Sequence, residues 1–122
     1  MVSQADARYS ILLIEDDRDQ IQFIKTVLGS SSNVLLDIHA EETVGAGLIH
    51  LGSTQVDLIL LDLHLPDSAG LETFRTVEGA AGEIPIIIFS GNKDVELALE
   101  AVREGAQDYL VKGDAREPLL SR

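Results

Sequence analysis

The stretch "ILLIEDDRDQ", Ile11–Gln20, sets four apolar residues directly against three consecutive acids, Glu15, Asp16 and Asp17. A run this short, apolar throughout and rich in branched side chains, reads as a strand buried on both faces, the habit of parallel sheets. The acids raise a second question. At ~4–5 Å and an effective dielectric near 20, each close carboxylate pair costs roughly 3–4 kcal/mol. Water, a basic side chain or a cation must offset that repulsion.

Four further runs have the same character: "VLLDI" (34–38), "VDLILL" (56–61), "IPIIIF" (84–89) and "YLV" (109–111). Between them the apolar residues change to helical spacing. Ile21, Ile24 and Leu28 share one face, and "GSSSN" stops that helix. Val44, Leu48 and Leu51 share another, weakened by the interior glycines Gly45 and Gly47. Leu71, Phe74 and Val77 make a third, with "EGAAGE" (78–83) read as a loop. Val95, Leu99 and Val102 make a fourth, with Gly105 as its C-terminal stop. After Gly113, "DAREPLLSR" is expected to begin a fifth helix, cut short at Arg122. The class is therefore α/β, a (βα)5 chain folded as a doubly wound, five-stranded parallel sheet.

Ligand sites in such sheets lie beyond the carboxyl ends of the strands, where the winding reverses. At those ends stand Glu15, Asp16 and Asp17, then Asp62, then Ser90 with Gly91, then Lys112. Each has an ordinary structural explanation. Asp17 suits the cap of the helix starting near Arg18, a lone Asp at a strand end is more often structural, and a lone Lys or Ser is usually a surface charge or a turn residue. Their collection at one sheet edge argues for more. Clustered carboxylates form a hard, all-oxygen site suited to Mg²⁺ or Mn²⁺. One carboxylate can act as nucleophile toward phosphorus, with Lys112 neutralising phosphoryl oxygens and Ser90 donating to another.

Composition narrows the partners. The 122 residues carry 21 acids against 9 Lys and Arg, a net charge of −12, which argues against direct nucleic-acid binding. With no cysteine there is neither a disulfide nor a thiolate site. No apolar stretch has the length of a signal-peptide core or a membrane span, so a cytoplasmic location and no membrane partner are expected. His39 and His50 show no ligand spacing and read as surface or helix-end residues.

Together "ILLIEDD", "LILLDLHLPDSAGLE", "IPIIIFSG" and "GAQDYLVK" resemble the receiver domain of two-component response regulators, with its flavodoxin-like fold, over Tyr9 to Lys112. The resemblance implies Asp62 as phosphoacceptor and Lys112 and Ser90 as its catalytic partners. It implies a magnesium site from Asp16, Asp62, Glu15 acting through a water, and the main-chain carbonyl of His64. Ser90 and Tyr109 match the switch pair, and Pro66 and Gly70 fit the loop after the third strand. The expected organisation is a single receiver domain over 1–122, with its core at about 9–112 and 113–122 leading into an output domain. The implied partners are a sensor histidine kinase or phosphotransfer protein, and an adjoining output domain or second receiver. Such a domain catalyses only its own phosphorylation and dephosphorylation. Three departures stand out: Gly113 follows the lysine where the family usually has proline, the last helix is short, and His64 and Asn92 occupy positions that influence phosphoryl lifetime.

Two rivals share the acids. A haloacid-dehalogenase-type phosphohydrolase would need a second Asp two residues after the nucleophile, where this chain has His64. A pseudo-receiver would keep the fold as an interaction module without phosphorylation. Nucleotide-binding loops of either Gly-rich pattern are missing.

Overall fold

A computed structural model describes residues 8–30 and 34–112. The expected fifth helix and the Gly113 departure lie outside the described residues. The elements alternate as anticipated: β1 (Arg8–Ile14), α1 (Arg18–Gly29), β2 (Leu35–Glu41), α2 (Val44–Ser53), β3 (Leu58–Leu61), β4 (His64–Leu65), β5 (Ser68–Ala69), α3 (Leu71–Ala81), β6 (Ile86–Ser90), α4 (Val95–Glu104) and β7 (Asp108–Val111). Five strands form one parallel sheet in the order β2-β1-β3-β6-β7. The winding reverses between β1 and β3, the switch point of a flavodoxin-like sheet. β4 and β5 make a small antiparallel hairpin after β3.

Why the runs are continuously apolar is clear from the two faces of the sheet. Leu12, Ile14, Ile59, Leu61, Ile86 and Ile88 pack on the side shared with Phe74, Val77, Ala98 and Ala101. Ile11, Leu13, Leu60 and Phe89 pack on the opposite side with Ile24 of α1. Alternate residues of β1, β3 and β6 thus enter different cores, and neither face can be polar.

The outer strands behave differently. β2 alternates between exposed and partly buried residues and runs three residues beyond the apolar stretch that marks it, to Glu41. Its even residues Leu36, Ile38 and Ala40 pack toward α1, while Leu35, Asp37, His39 and Glu41 face the other way. Edge strand β7 leaves Leu110 and Val111 exposed.

Two local readings need correction. "EGAAGE" is not wholly a loop: α3 continues through Glu78 to Ala81, whose methyl group is buried, and stops at Gly82 with φ 63°. In α4 the buried face is centred on Ala98 and Ala101, with Leu97 and Val102 flanking it. Small residues let that helix approach the sheet closely, and Leu99 lies off the core. Gly47 plays the same part in α2, where a Cβ would fall 2.6 Å from the Cδ1 of Ile14.

Candidate functional site

Strand register builds the site. Ile14 of β1 pairs with Leu61 of β3, so the next residues, Glu15 and Asp62, emerge side by side at the carboxyl edge. The Asp62 N–H donates to the Ile14 carbonyl at 3.0 Å, and the Glu15 N–H donates to the Glu41 carbonyl at 2.9 Å. Ser90 ends β6 opposite Val111, and the Lys112 N–H donates back to the Ser90 carbonyl at 2.6 Å. Four strand ends therefore present Glu15, Asp62, Ser90 and Lys112 at one rim.

The side chains converge. Lys112 Nζ donates to Asp62 Oδ2 at 2.9 Å. The same ammonium lies 2.7 Å from Glu15 Oε1, an ion pair that falls short of an aligned hydrogen bond. Asp62 Oδ1 accepts from the His64 N–H at 3.0 Å, and Glu15 Oε2 accepts from the Asp17 N–H at 3.1 Å. Lys112 also stands 5.4 Å above the ring of Phe89, a contact the sequence does not announce. Glu15, Asp16 and Asp62 each bring a carboxylate oxygen within 4.8 Å of the others. Glu15 and Asp62 are buried, while Asp16 is exposed at the mouth.

The electrostatics follow from burial. Desolvation raises the Glu15 carboxyl to about 7; Asp62 adds to the rise and the Lys112 ammonium opposes it. Burial works against the Lys112 charge, but the Glu15 and Asp62 carboxylates outweigh it and raise its pKa. Three acids and one ammonium leave about two negative charges when all are ionised, which fits a divalent cation in number as the oxygen donors fit a hard one in kind. Ser90 Oγ is buried and has no hydrogen-bond partner. An orphaned hydroxyl at this rim is unusual enough to signal a ligand that completes it.

The remaining residues sort themselves. Asp17 is the cap of α1, accepting from the N–H groups of Asp19 at 2.9 Å and Gln20 at 3.4 Å. The His64 side chain turns to Asp94, with Nε2 3.1 Å from Oδ1, tying the loop after β3 to the loop after β6. Tyr109 is half-buried on β7 against the core shared with α4. Asp67, which sequence reasoning passed over, accepts from the N–H groups of Val44 and Gly45, both at 3.0 Å, and so closes the start of α2 from the β4–β5 turn. Those two bonds hold its carboxyl below the usual range. His39 is exposed on β2 and His50 lies in the last turn of α2, a surface and a helix-end position as expected, but the two meet: their rings stack with centroids 4.0 Å apart.

Comparison with known proteins places the fold in a family. The family model for the response regulator receiver domain matches residues 11–122. The cell cycle transcriptional regulator CtrA of Caulobacter vibrioides is 37% identical over 113 residues, 92% of this chain and 47% of that protein. The chain thus spans about half the length of the curated relatives it matches. Full-length FixJ from B. japonicum superposes with a TM-score of 0.76 at 26% identity, covering 88% of this chain and 52% of that one. The signal receiver domain of a putative Luxo repressor protein from Vibrio parahaemolyticus gives 0.74 at 27% identity, covering 88% and 80%.

Proposed function

Because this chain belongs to the response regulator receiver domain family of two-component systems, we propose that it takes a phosphoryl group onto Asp62 and converts that charge into a change of surface. The observation that carries the proposal is the Asp62 carboxylate itself, held between the Lys112 ammonium and the His64 N–H beside two further acids.

The donor is a phosphohistidine on a sensor histidine kinase or phosphotransfer protein. An Asp62 oxygen forms a bond to phosphorus as the P–N bond breaks, and the imidazole departs with the electron pair. The His64 N–H and Lys112 Nζ aim the carboxylate, and the same ammonium is placed to donate to a phosphoryl oxygen. Asp16, Asp62, Glu15 through a water, and the His64 carbonyl would hold Mg²⁺ or Mn²⁺. When bound, that ion neutralises charge on the phosphoryl oxygens. Ser90, buried without a partner, donates to a phosphoryl oxygen and reports its arrival.

The phosphoryl adds roughly −1.5 to −2 charges. Ser90 and its loop draw toward Asp62, Tyr109 moves inward, and the surface of α4 and β7 changes. Residues 1–122 act as one receiver, working in the cytoplasm. CtrA and FixJ are about twice as long as this chain's match to them, which supports an adjoining output domain or second receiver as the listener. A pseudo-receiver would have no need of this assembled set, and a dehalogenase-type second Asp is replaced by His64, whose ring is engaged with Asp94.

The test is to incubate the chain with acetyl phosphate and Mg²⁺ and weigh the intact protein. We expect a gain of one phosphoryl group in the wild type and none in Asp62→Asn. No gain in the wild type, or an equal gain in the variant, overturns the proposal.

A further inference from the structure

Away from the acid pocket, the chain brings two imidazoles and a carboxylate to one point. His39 and Glu41 lie two residues apart on edge strand β2, hence on one side of the sheet. His50 comes from the last turn of α2. The histidine rings are nearly parallel, 6° apart, and His39 Nε2 faces Glu41 Oε2. One ligating atom from each of the three residues lies within 4.8 Å of the other two. The His39 side chain is 49% exposed and that of Glu41 28%, so an ion can reach the group with its waters.

We propose that His39, Glu41 and His50 form a second cation site, selective for a borderline divalent ion of the zinc type rather than for magnesium. The donor set decides the class. Imidazole pairs suit Zn²⁺, Cu²⁺ and Ni²⁺, while an all-oxygen cluster such as Glu15, Asp16 and Asp62 suits Mg²⁺. Two His and one carboxylate leave a fourth, water-filled position on a tetrahedral ion. Bonds of ~2.0–2.1 Å place neighbouring donors roughly 3.3 Å apart, so on binding the more distant donors close by up to about 1.5 Å, His39 Nε2 and Glu41 Oε2 open to admit the ion, and the stacked rings rotate until both ring planes contain it. The ion takes the place of the proton between His39 Nε2 and Glu41 Oε2, and that proton leaves to solvent. Its effect is to tie the end of α2 to the edge of the sheet.

A purely structural stack is the competing explanation, and two variants separate them. His50→Phe keeps an aromatic ring over His39 but removes the ligand; His39→Gln removes the other imidazole. The wild-type chain is titrated with ZnCl₂ in excess MgCl₂, following backbone amide resonances. We expect shifts centred on His39, Glu41 and His50, unchanged in Asp62→Asn, with zinc binding weakened about tenfold or more in each histidine variant, since even partners that merely orient a ligand are worth 10–100-fold. Acetyl phosphate labelling of His50→Phe should match the wild type, which keeps this result separate from the role of Asp62. Absence of zinc binding, shifts confined to the Asp62 rim, or equal affinity in His50→Phe each overturns the site.

Discussion

Glu15 is the residue on which the pocket's energetics turn. It is fully buried, and its carboxyl is raised from 4.5 to about 7. A carboxyl raised by folding binds its proton more tightly in the native than in the unfolded state. Its contribution is therefore intact below about 4.5 and is eroded as pH rises toward about 7. For the metal-free protein the loss amounts to about 3 kcal/mol across that window. Denaturant unfolding of wild type and Glu15→Gln from pH 4.5 to 8 checks this. The gap between them should shift in favour of the amide as pH rises, and a gap independent of pH would refute it. At this scale the sequence was legible where residues follow strand ends. Glu15, Asp62, Ser90 and Lys112 meet because register carries neighbours in the sheet to the same rim. Phe89 beneath the ammonium was not legible, nor was the meeting of His39 with His50. The first contact depends on a side chain's direction, and the second joins a strand to a helix, across which no single periodicity runs.

At the scale of the element, α2 shows how one residue type can have opposite meanings. Gly45 and Gly47 both weaken helix propensity, and from sequence they are equivalent. In the structure a Cβ at Gly45 would meet only Asp67 Oδ2, at an ordinary 3.6 Å, whereas one at Gly47 would strike Ile14, which is fully buried and stiff at its branched carbon. Gly45→Ala should raise stability by up to about 1 kcal/mol. Gly47→Ala should lower it by about 1–2 kcal/mol, the propensity gain being outweighed by overpacking. Thermal melts of the two variants give the signs directly; a matching sign would contradict the close approach of α2 to β1. The end of α3 was missed for a related reason. "EGAAGE" looks like a turn by composition, yet Ala81 has a place in the core that rewards one more helical turn before Gly82. The long-range cap by Asp67 was missed because its partners lie more than twenty positions earlier.

For the whole molecule, the net charge of −12 sets the background. Self-repulsion makes any salt stabilising, through screening. Mg²⁺ at the rim should add an increment beyond that. The increment should grow between pH 6 and pH 8, because protons and metal compete for Glu15 near its value of about 7. Melting temperatures with millimolar MgCl₂, against NaCl of matched ionic strength, test this in wild type and Asp16→Asn. The specific increment should vanish in the variant; equal shifts with the two salts in wild type would remove the case for a divalent site. The architecture itself was the most readable level. Continuous apolar runs alternating with helical spacing leave few topologies open, and a right-handed parallel sheet with its winding reversal beside β1 is among them. The outer strands were read least well because partial burial replaces a solid run with alternation, as in β2.

Lys112 reaches from the sheet's outermost parallel strand, past β6, to acids on β1 and β3. Its ammonium works as a drawstring: the tail of the outer strand is pulled taut by attraction to two distant neighbours. A newcomer bearing oxygens at Asp62 competes for that one cation and slackens its hold on Glu15. The first mechanical consequence of modification would then be felt at the rim of the molecule.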